Sequence, residues 1–141
     1  MKIRIKYLAD IDRLPSIKLG DWQDLRAAED IDLRAGEFRL IPLGVAMEIP
    51  KGFEAFVVPR SSTFKKYHII QTNSVGIIDN SYNGDNDQWF MPVLAMDNTH
   101  ISKNDRICQF RVFSNQDEIE WEVVETLGNE NRGGFGSTGV Q

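Results

Sequence analysis

What most limits the folds open to this chain is how soon each apolar run is cut short. Phe38-Arg39-Leu40-Ile41 is closed by Pro42, and Ala55-Phe56-Val57-Val58 by Pro59. Between them Val45–Ile49 alternates, and Pro50-Lys51-Gly52-Phe53 has Pro and Gly where a turn wants them. Lys2–Leu8 puts Ile3, Ile5 and Tyr7 on one face. Ile69–Val75, Gly76–Asp79, Trp89–Met96 and Arg106–Phe113 read as further strands, and the alternating Glu118–Glu125 as a last one. Short strands spaced by roughly 8–12 residues with turn signals between them predict an all-β barrel or sandwich. Asp24–Asp30 has the look of one helical turn, but no 3.6-residue period continues beyond it, and no long amphipathic helix is visible.

A chain of 141 residues with 41% apolar and 26% charged residues predicts one domain with a core that needs no staples. The net charge of -5 argues against a general nucleic-acid binder, which would need clustered Lys and Arg. No apolar run is long enough to span a membrane, and the charged, alternating start has no signal-peptide core. The single cysteine, Cys108, fits a reducing cytoplasm and reads as a small core residue. His68 and His100, read as loop residues, are too few with one Cys for an ordinary zinc site. Trp121 reads as a packing residue.

The chemistry concentrates in Gly76-Ile77-Ile78-Asp79-Asn80-Ser81-Tyr82-Asn83-Gly84. Apolar β-branched residues between glycines read as a short hairpin with a lone carboxylate at its mouth and an aromatic three residues on. The plain structural reading is a turn whose Asp caps its own backbone. The functional one is a carboxylate beside backbone groups able to read a flat, polar ligand edge. A second segment, Arg132-Gly133-Gly134-Phe135-Gly136-Ser137-Thr138-Gly139, satisfies a G-x-G-x-x-G pattern, but only two residues follow it, so no dinucleotide-binding helix can. No Lys precedes Ser137 or Thr138, which excludes a P-loop. As a frayed terminus it needs no further account. As an arm it offers Arg, Phe, two hydroxyls and unhindered amides to a phosphorylated aromatic ligand.

Taken in order, five pieces resemble the motifs of the homotrimeric deoxyuridine triphosphatases (dUTPases), in particular the branch of Gram-positive bacteria and their phages. They are Asp24-Leu25-Arg26-Ala27, Pro59-Arg60-Ser61-Ser62, Gly76–Gly84, Asp105-Arg106-Ile107-Cys108-Gln109-Phe110 and Arg132–Gly139. Pro59–Thr63 and Gly84–Trp89 carry the resemblance to that branch. It implies a jelly-roll-like, distorted β-barrel over 1–127, a glycine-rich arm over 128–141 that closes an active site, and assembly as a homotrimer. It also implies cytoplasmic hydrolysis of dUTP to dUMP and pyrophosphate with Mg²⁺, which clears dUTP and supplies the precursor of dTTP. Asp79 would be the general base for the water that attacks the α-phosphorus, ionised at neutral pH as that task requires. Tyr82 would pack under the deoxyribose, and Asn73 with the backbone of Gly76, Ile77 and Ile78 would hydrogen-bond uracil. Arg60, Ser61, Ser62 and Gln109 would hold phosphate oxygens, with Arg132, Gly136, Ser137 and Thr138 of the arm. Phe135 would be the lid over the base, with Phe90 and then Trp89 as the other candidates. Asp24 would sit near Mg²⁺ through a water.

The chain departs from the family pattern at Ser62, Ser81 and Asn83, where Gly, an acid and Arg are usual, and in the short spacing from Arg132 to Phe135. Two alternatives stand beside this reading. A dCTP deaminase of the same fold would need a Glu soon after the third motif, and Asp85–Leu94 holds none. A trimeric regulatory binding protein would not need Asp79, Tyr82 and Gln109, although their presence leaves a regulatory protein partner compatible with catalysis.

Overall fold

The structure is a computed structural model that describes residues 1–17 and 19–136. Its first six strands are β1 (Arg4–Tyr7), β2 (Gln23–Arg26), β3 (Ile31–Leu33), β4 (Phe38–Pro42), β5 (Val45–Glu48) and β6 (Phe53–Pro59). One short helix, α1 (Thr63–Tyr67), precedes β7 (Ile69–Gln71), β8 (Gly76–Ile78), β9 (Phe90–Ala95), β10 (Thr99–Ile101) and β11 (Arg106–Ser114). Every pairing is antiparallel, as expected where connections are too short for crossovers. The ladders are β1-β5, β3-β10, β2-β11-β6-β8 and β4-β9-β7.

The core lies between the ladders and follows the period of two. Ala55 and Val57 of β6, Met91, Val93 and Ala95 of β9, and Ile107, Cys108 and Phe110 of β11 are buried. Trp89 meets Phe110 edge to face at 5.2 Å between ring centres. Cys108 is buried as expected, and burial raises its thiol pKa, so it stays a protonated apolar filler. Between β4 and β5 the chain turns at Gly44, with φ +70°. A Cβ there would meet Ile11 Cδ1 at 3.0 Å and Ala28 Cβ at 3.1 Å, so no other residue fits without displacing both neighbours.

Four sequence expectations are corrected. Ile69–Val75 and Gly76–Asp79, adjacent in the sequence and read as the strands of one hairpin region, do not pair with each other. β7 pairs with β9 in one sheet and β8 with β6 in another, so the turn between them, with Ser74 at φ 59°, carries the chain from sheet to sheet. Asp24-Leu25-Arg26 lies in β2, because Leu25 has a ladder partner in Cys108 that outweighs any local helical tendency. The helix that does form, α1, spans five residues, too few for a period to show. Glu118–Glu125 makes no strand: Trp121 is 83% and Val123 is 96% exposed, and no ladder among the described residues takes the segment up. Trp121 therefore packs against no core here. His100 is no loop residue but stands in β10 opposite Asp32, with Nδ1 2.7 Å from Asp32 Oδ1, whereas His68 closes α1 at φ 52°.

Candidate active site

Asp79 directly follows β8, and its strand is held against β6 with Ile78 opposite Ala55. The turn after it is built from its own polar groups. Asp79 Oδ1 accepts from the Ser81 N–H at 2.7 Å and also from the Ser81 hydroxyl. The Asn80 side-chain amide donates to Ile49 O at 2.5 Å, and the Asn83 amide to Asn80 O at 2.9 Å. Tyr82 donates its hydroxyl to Gln88 O at 2.7 Å, and Gly84 N–H donates to Asp87 at 2.8 Å. The two donors of Ser81, hydroxyl first and N–H second, hold the Asp79 carboxyl below its ordinary pKa. The self-capping turn and the carboxylate are thus one arrangement, with Oδ1 engaged by Ser81. Asp79 lines an open cavity of 1020 Å³, whose far wall includes Glu54 and the ring pair Phe56–Phe113, 4.7 Å apart.

The second cluster lies at the other end of β6. Asp24 on β2 faces Gln109 on β11, which faces Val58 on β6. Arg60 Nε lies 3.1 Å from Asp24 Oδ1 and Arg106 Nη1 3.2 Å from Oδ2, while Arg60 also donates to Arg106 O at 3.2 Å. Gln109 donates to Pro59 O at 3.1 Å. The Arg60 N–H is held by Thr63 Oγ1 at 2.8 Å, and the same hydroxyl donates to Ile107 O at 2.8 Å. The first, second and fourth motifs are therefore brought together as one cluster, in which two arginines share the Asp24 carboxylate. Ser61 is exposed beside it, and Ser62 caps α1 without a side-chain bond.

Asn73 stands in the sheet-switching turn, its Oδ1 accepting from Gln71 Nε2 at 2.9 Å. A Cβ on Gly76 would meet Val57 Cβ at 3.3 Å and Asn73 Nδ2 at 3.5 Å, so glycine keeps this approach open. Ile77 is exposed and Ile78 packs against the core.

The structure does not join the two clusters within one chain. Asp79 sits level with Glu54, and Arg60 lies six residues further along the same strand direction, about 20 Å at 3.3 Å per residue. Arg132, Phe135 and Gly136 are exposed and contribute no strand. Ser137 and Thr138 fall outside the described residues. Trp89 is corrected as a lid: it is 0% exposed and packs on Phe110. Phe90, its neighbour, faces outward opposite Pro42 in the sheet that also exposes Phe38 and Leu40, and it does not line the Asp79 cavity.

Among the described residues no three His, Cys, Asp or Glu side chains gather as a metal cage. Asp24 has an arginine on each oxygen, which fits an outer-sphere contact to a hydrated Mg²⁺ held mainly by phosphates. Sequence reasoning gave no role to Ser81, Arg106 or the hydroxyl of Thr63. The Asn-Ser turn signal after Asp79 marked the first, whereas nothing local marks a side chain whose partner lies 44 residues away.

A family model described as dUTPase matches residues 23–139. A prophage-derived deoxyuridine 5'-triphosphate nucleotidohydrolase of Bacillus subtilis (strain 168) is 55% identical over 142 residues, 100% of this chain and 100% of its own. The deoxyuridine 5'-triphosphate nucleotidohydrolase of Rickettsia bellii is 43% identical, covering 83% of this chain and 79% of its own. Among solved structures, the dUTPase of phage phi11 of S. aureus, described with a structural Mg(II) ion, superposes with a TM-score of 0.77 at 18% identity over 90% of this chain and 99% of its own. A variant of the Staphylococcus bacteriophage 80alpha dUTPase with dUpNHpp gives 0.78 at 21% identity over 99% of each chain. At those identities the likeness is one of fold.

Proposed function

We propose, because this chain belongs to the dUTPase family, that it hydrolyses dUTP to dUMP and pyrophosphate. Asp79 Oδ2 takes a proton from a water whose oxygen bonds to the α-phosphorus. The bond from that phosphorus to the bridging oxygen breaks, and pyrophosphate leaves with the electron pair. A carboxylate is ionised at neutral pH, and the two Ser81 donors hold the Asp79 pKa below even its ordinary value. Arg60 and Gln109, with Ser61 and Ser62, hold phosphate oxygens, and Asp24 fixes the Arg60 guanidinium that does so. Tyr82 packs under the sugar, and Asn73 with the Gly76–Ile78 backbone pairs with uracil. Arg132, Phe135, Gly136, Ser137 and Thr138 close over the nucleotide. Mg²⁺, when bound, would supply neutralising charge to the triphosphate, and Asp24 would contact it through water.

The observation that carries this reading is the pairing of a poised carboxylate, Asp79, with a separate arginine cluster about 20 Å away along β6. A base must stand within hydrogen-bond reach of its water, so the two serve one triphosphate only if they come from different copies. That supports a homotrimer with shared sites. A second feature agrees with it. Residues 118–125 alternate Glu with exposed Ile119, Trp121 and Val123. The run 2–7 alternates Lys2, Arg4 and Lys6 with Ile3, Ile5 and Tyr7 beside an apolar cavity of 580 Å³. Among the described residues β1 pairs only with β5, leaving an edge that such a strand from a second copy fits in charge and in apolar face. Buried, reduced Cys108 suits the cytoplasmic setting we assign to it.

Purified protein given dUTP and Mg²⁺, then dCTP, and assayed for pyrophosphate and for ammonia, tests the reading. Pyrophosphate from dUTP is expected. Ammonia from dCTP, or neither product, would overturn it.

A further inference from the structure

Gln71 is 4% exposed, on a strand whose neighbours in the core are aliphatic. A buried amide must be paired or it destabilises, and the way this one is paired has a consequence for its neighbour. Both of its N–H bonds are spent, one on Val57 O and one on Asn73 Oδ1, each at 2.9 Å. Among the described residues its own Oε1 has no hydrogen-bond partner. Turning the amide over would set that oxygen against two other acceptors and leave no donor between them, so its orientation is fixed by chemistry. The fixed amide in turn commits Asn73: Oδ1 is drawn inward, and Nδ2 is left on the side of Gly76, 3.5 Å from where a Cβ would stand. Val57, which anchors Gln71, is also the ladder partner of Gly76. One buried side chain thus ties together β6, β7 and the start of β8.

We infer that Gln71 is a specificity-determining positioning residue: it locks Asn73 so that only N–H donors face the nucleobase. This rests on the reading of Asn73 as a base contact. A base edge that ends in a carbonyl acceptor, as in uracil, meets a donor there. An exocyclic amino group, as in cytosine, meets a donor with a donor, and neither can reorient. Sites built on such committed polar groups discriminate far more strongly than apolar pockets do. Gln71 touches no ligand itself and acts through Asn73.

The test compares kcat/KM for dUTP and dCTP, read as pyrophosphate release, in wild type, Asn73→Ala, Gln71→Met and Gln71→Glu. Methionine keeps the shape and removes both donors, freeing Asn73 to turn. Its dUTP-over-dCTP ratio should fall by about tenfold or more, with dUTP turnover less affected than the ratio. Glutamate offers acceptors, so it should turn the Asn73 oxygen outward and reduce the ratio further by raising the dCTP rate. If Asn73→Ala changes neither rate, Asn73 is not a base contact and this inference falls with that reading. If Asn73→Ala collapses the ratio while Gln71→Met keeps it at the wild-type value, the inference alone is overturned. Should the Gln71 variants fail to fold, side-chain amide NMR signals of the wild type decide. Added dUMP should move the Asn73 NH₂ pair and leave the Gln71 pair in place. An unmoved Asn73 pair refutes the inference.

Discussion

Replacing Thr63 by Val tests how the arginine cluster is held. Thr63 is 1% exposed, and its hydroxyl both accepts from the Arg60 N–H and donates to Ile107 O, each at 2.8 Å. Ile107 lies where the β11-β2 register shifts between Arg106 and Cys108, so its carbonyl relies on Thr63 rather than on a regular ladder. Valine fills the same volume and opens no cavity, so the whole effect comes from two backbone groups left without partners. At about 1–3 kcal/mol for each such group, and with some relaxation toward solvent on the Arg60 side, the loss should be about 2–4 kcal/mol. Thr63→Ser keeps the hydroxyl and removes one methyl, about 1 kcal/mol. Both are measured by urea unfolding followed through tryptophan fluorescence, at one protein concentration so that the proposed assembly contributes equally to each. The Val variant should also raise KM more than the Ser variant does, since Arg60 loses its backbone anchor. If Val costs no more than Ser, the hydroxyl does not latch the second motif to the fourth.

Asp79→Asn should keep the fold and nucleotide binding and lose about 10²–10⁴-fold in turnover, as removal of a general base does; near wild-type turnover would remove Asp79 from that role. Ser81→Ala takes a donor from the ionised carboxylate, so the Asp79 pKa rises, and the acid limb of kcat/KM must move to higher pH. An unmoved limb would mean that Ser81 does not tune the base. Deleting 128–141 should leave the thermal midpoint of the β core within a few degrees while cutting hydrolysis sharply; unfolding, or normal turnover, would contradict the arm. Between Phe135→Ala and Phe90→Ala, the loss in kcat/KM should fall on Phe135, by about 1–3 kcal/mol of stacking. A loss confined to Phe90 with its fold intact would move the lid there.

Strand content was legible because turn residues punctuate it: β4 is Phe38–Pro42 in both readings. Pairing was not, since apolar spacing says which face a strand buries and not which neighbour it bonds. β7 and β8 looked like one hairpin for that reason and proved to belong to two sheets. The alternation at 118–125 was read as a strand and forms none, because a period of two says which face a strand would bury and not whether an edge stands ready to pair with it. Of the aromatic pair, alternation requires one inside and one out, and only the packing on Phe110 shows that it is Trp89 that goes in. The motif order singled out Asp79, Arg60 and Gln109 as candidates. It could not reveal that Gln71, an ordinary member of an apolar strand by position, sets the hydrogen-bond polarity of Asn73.

If, as proposed, the two clusters along β6 serve one site only across copies, their separation also sets a rule for newly made protein. A ribosome releases one copy at a time, and each copy folds with half of the machinery at either end of a strand. Output per molecule then depends on how many molecules are present, rising steeply once encounters outpace separation. A cell that begins to express this chain passes through an interval in which the polypeptide is folded and soluble to an antibody, yet dUTP is untouched. Dilution of a finished preparation should run the same sequence backwards, with specific activity falling before any β structure is lost.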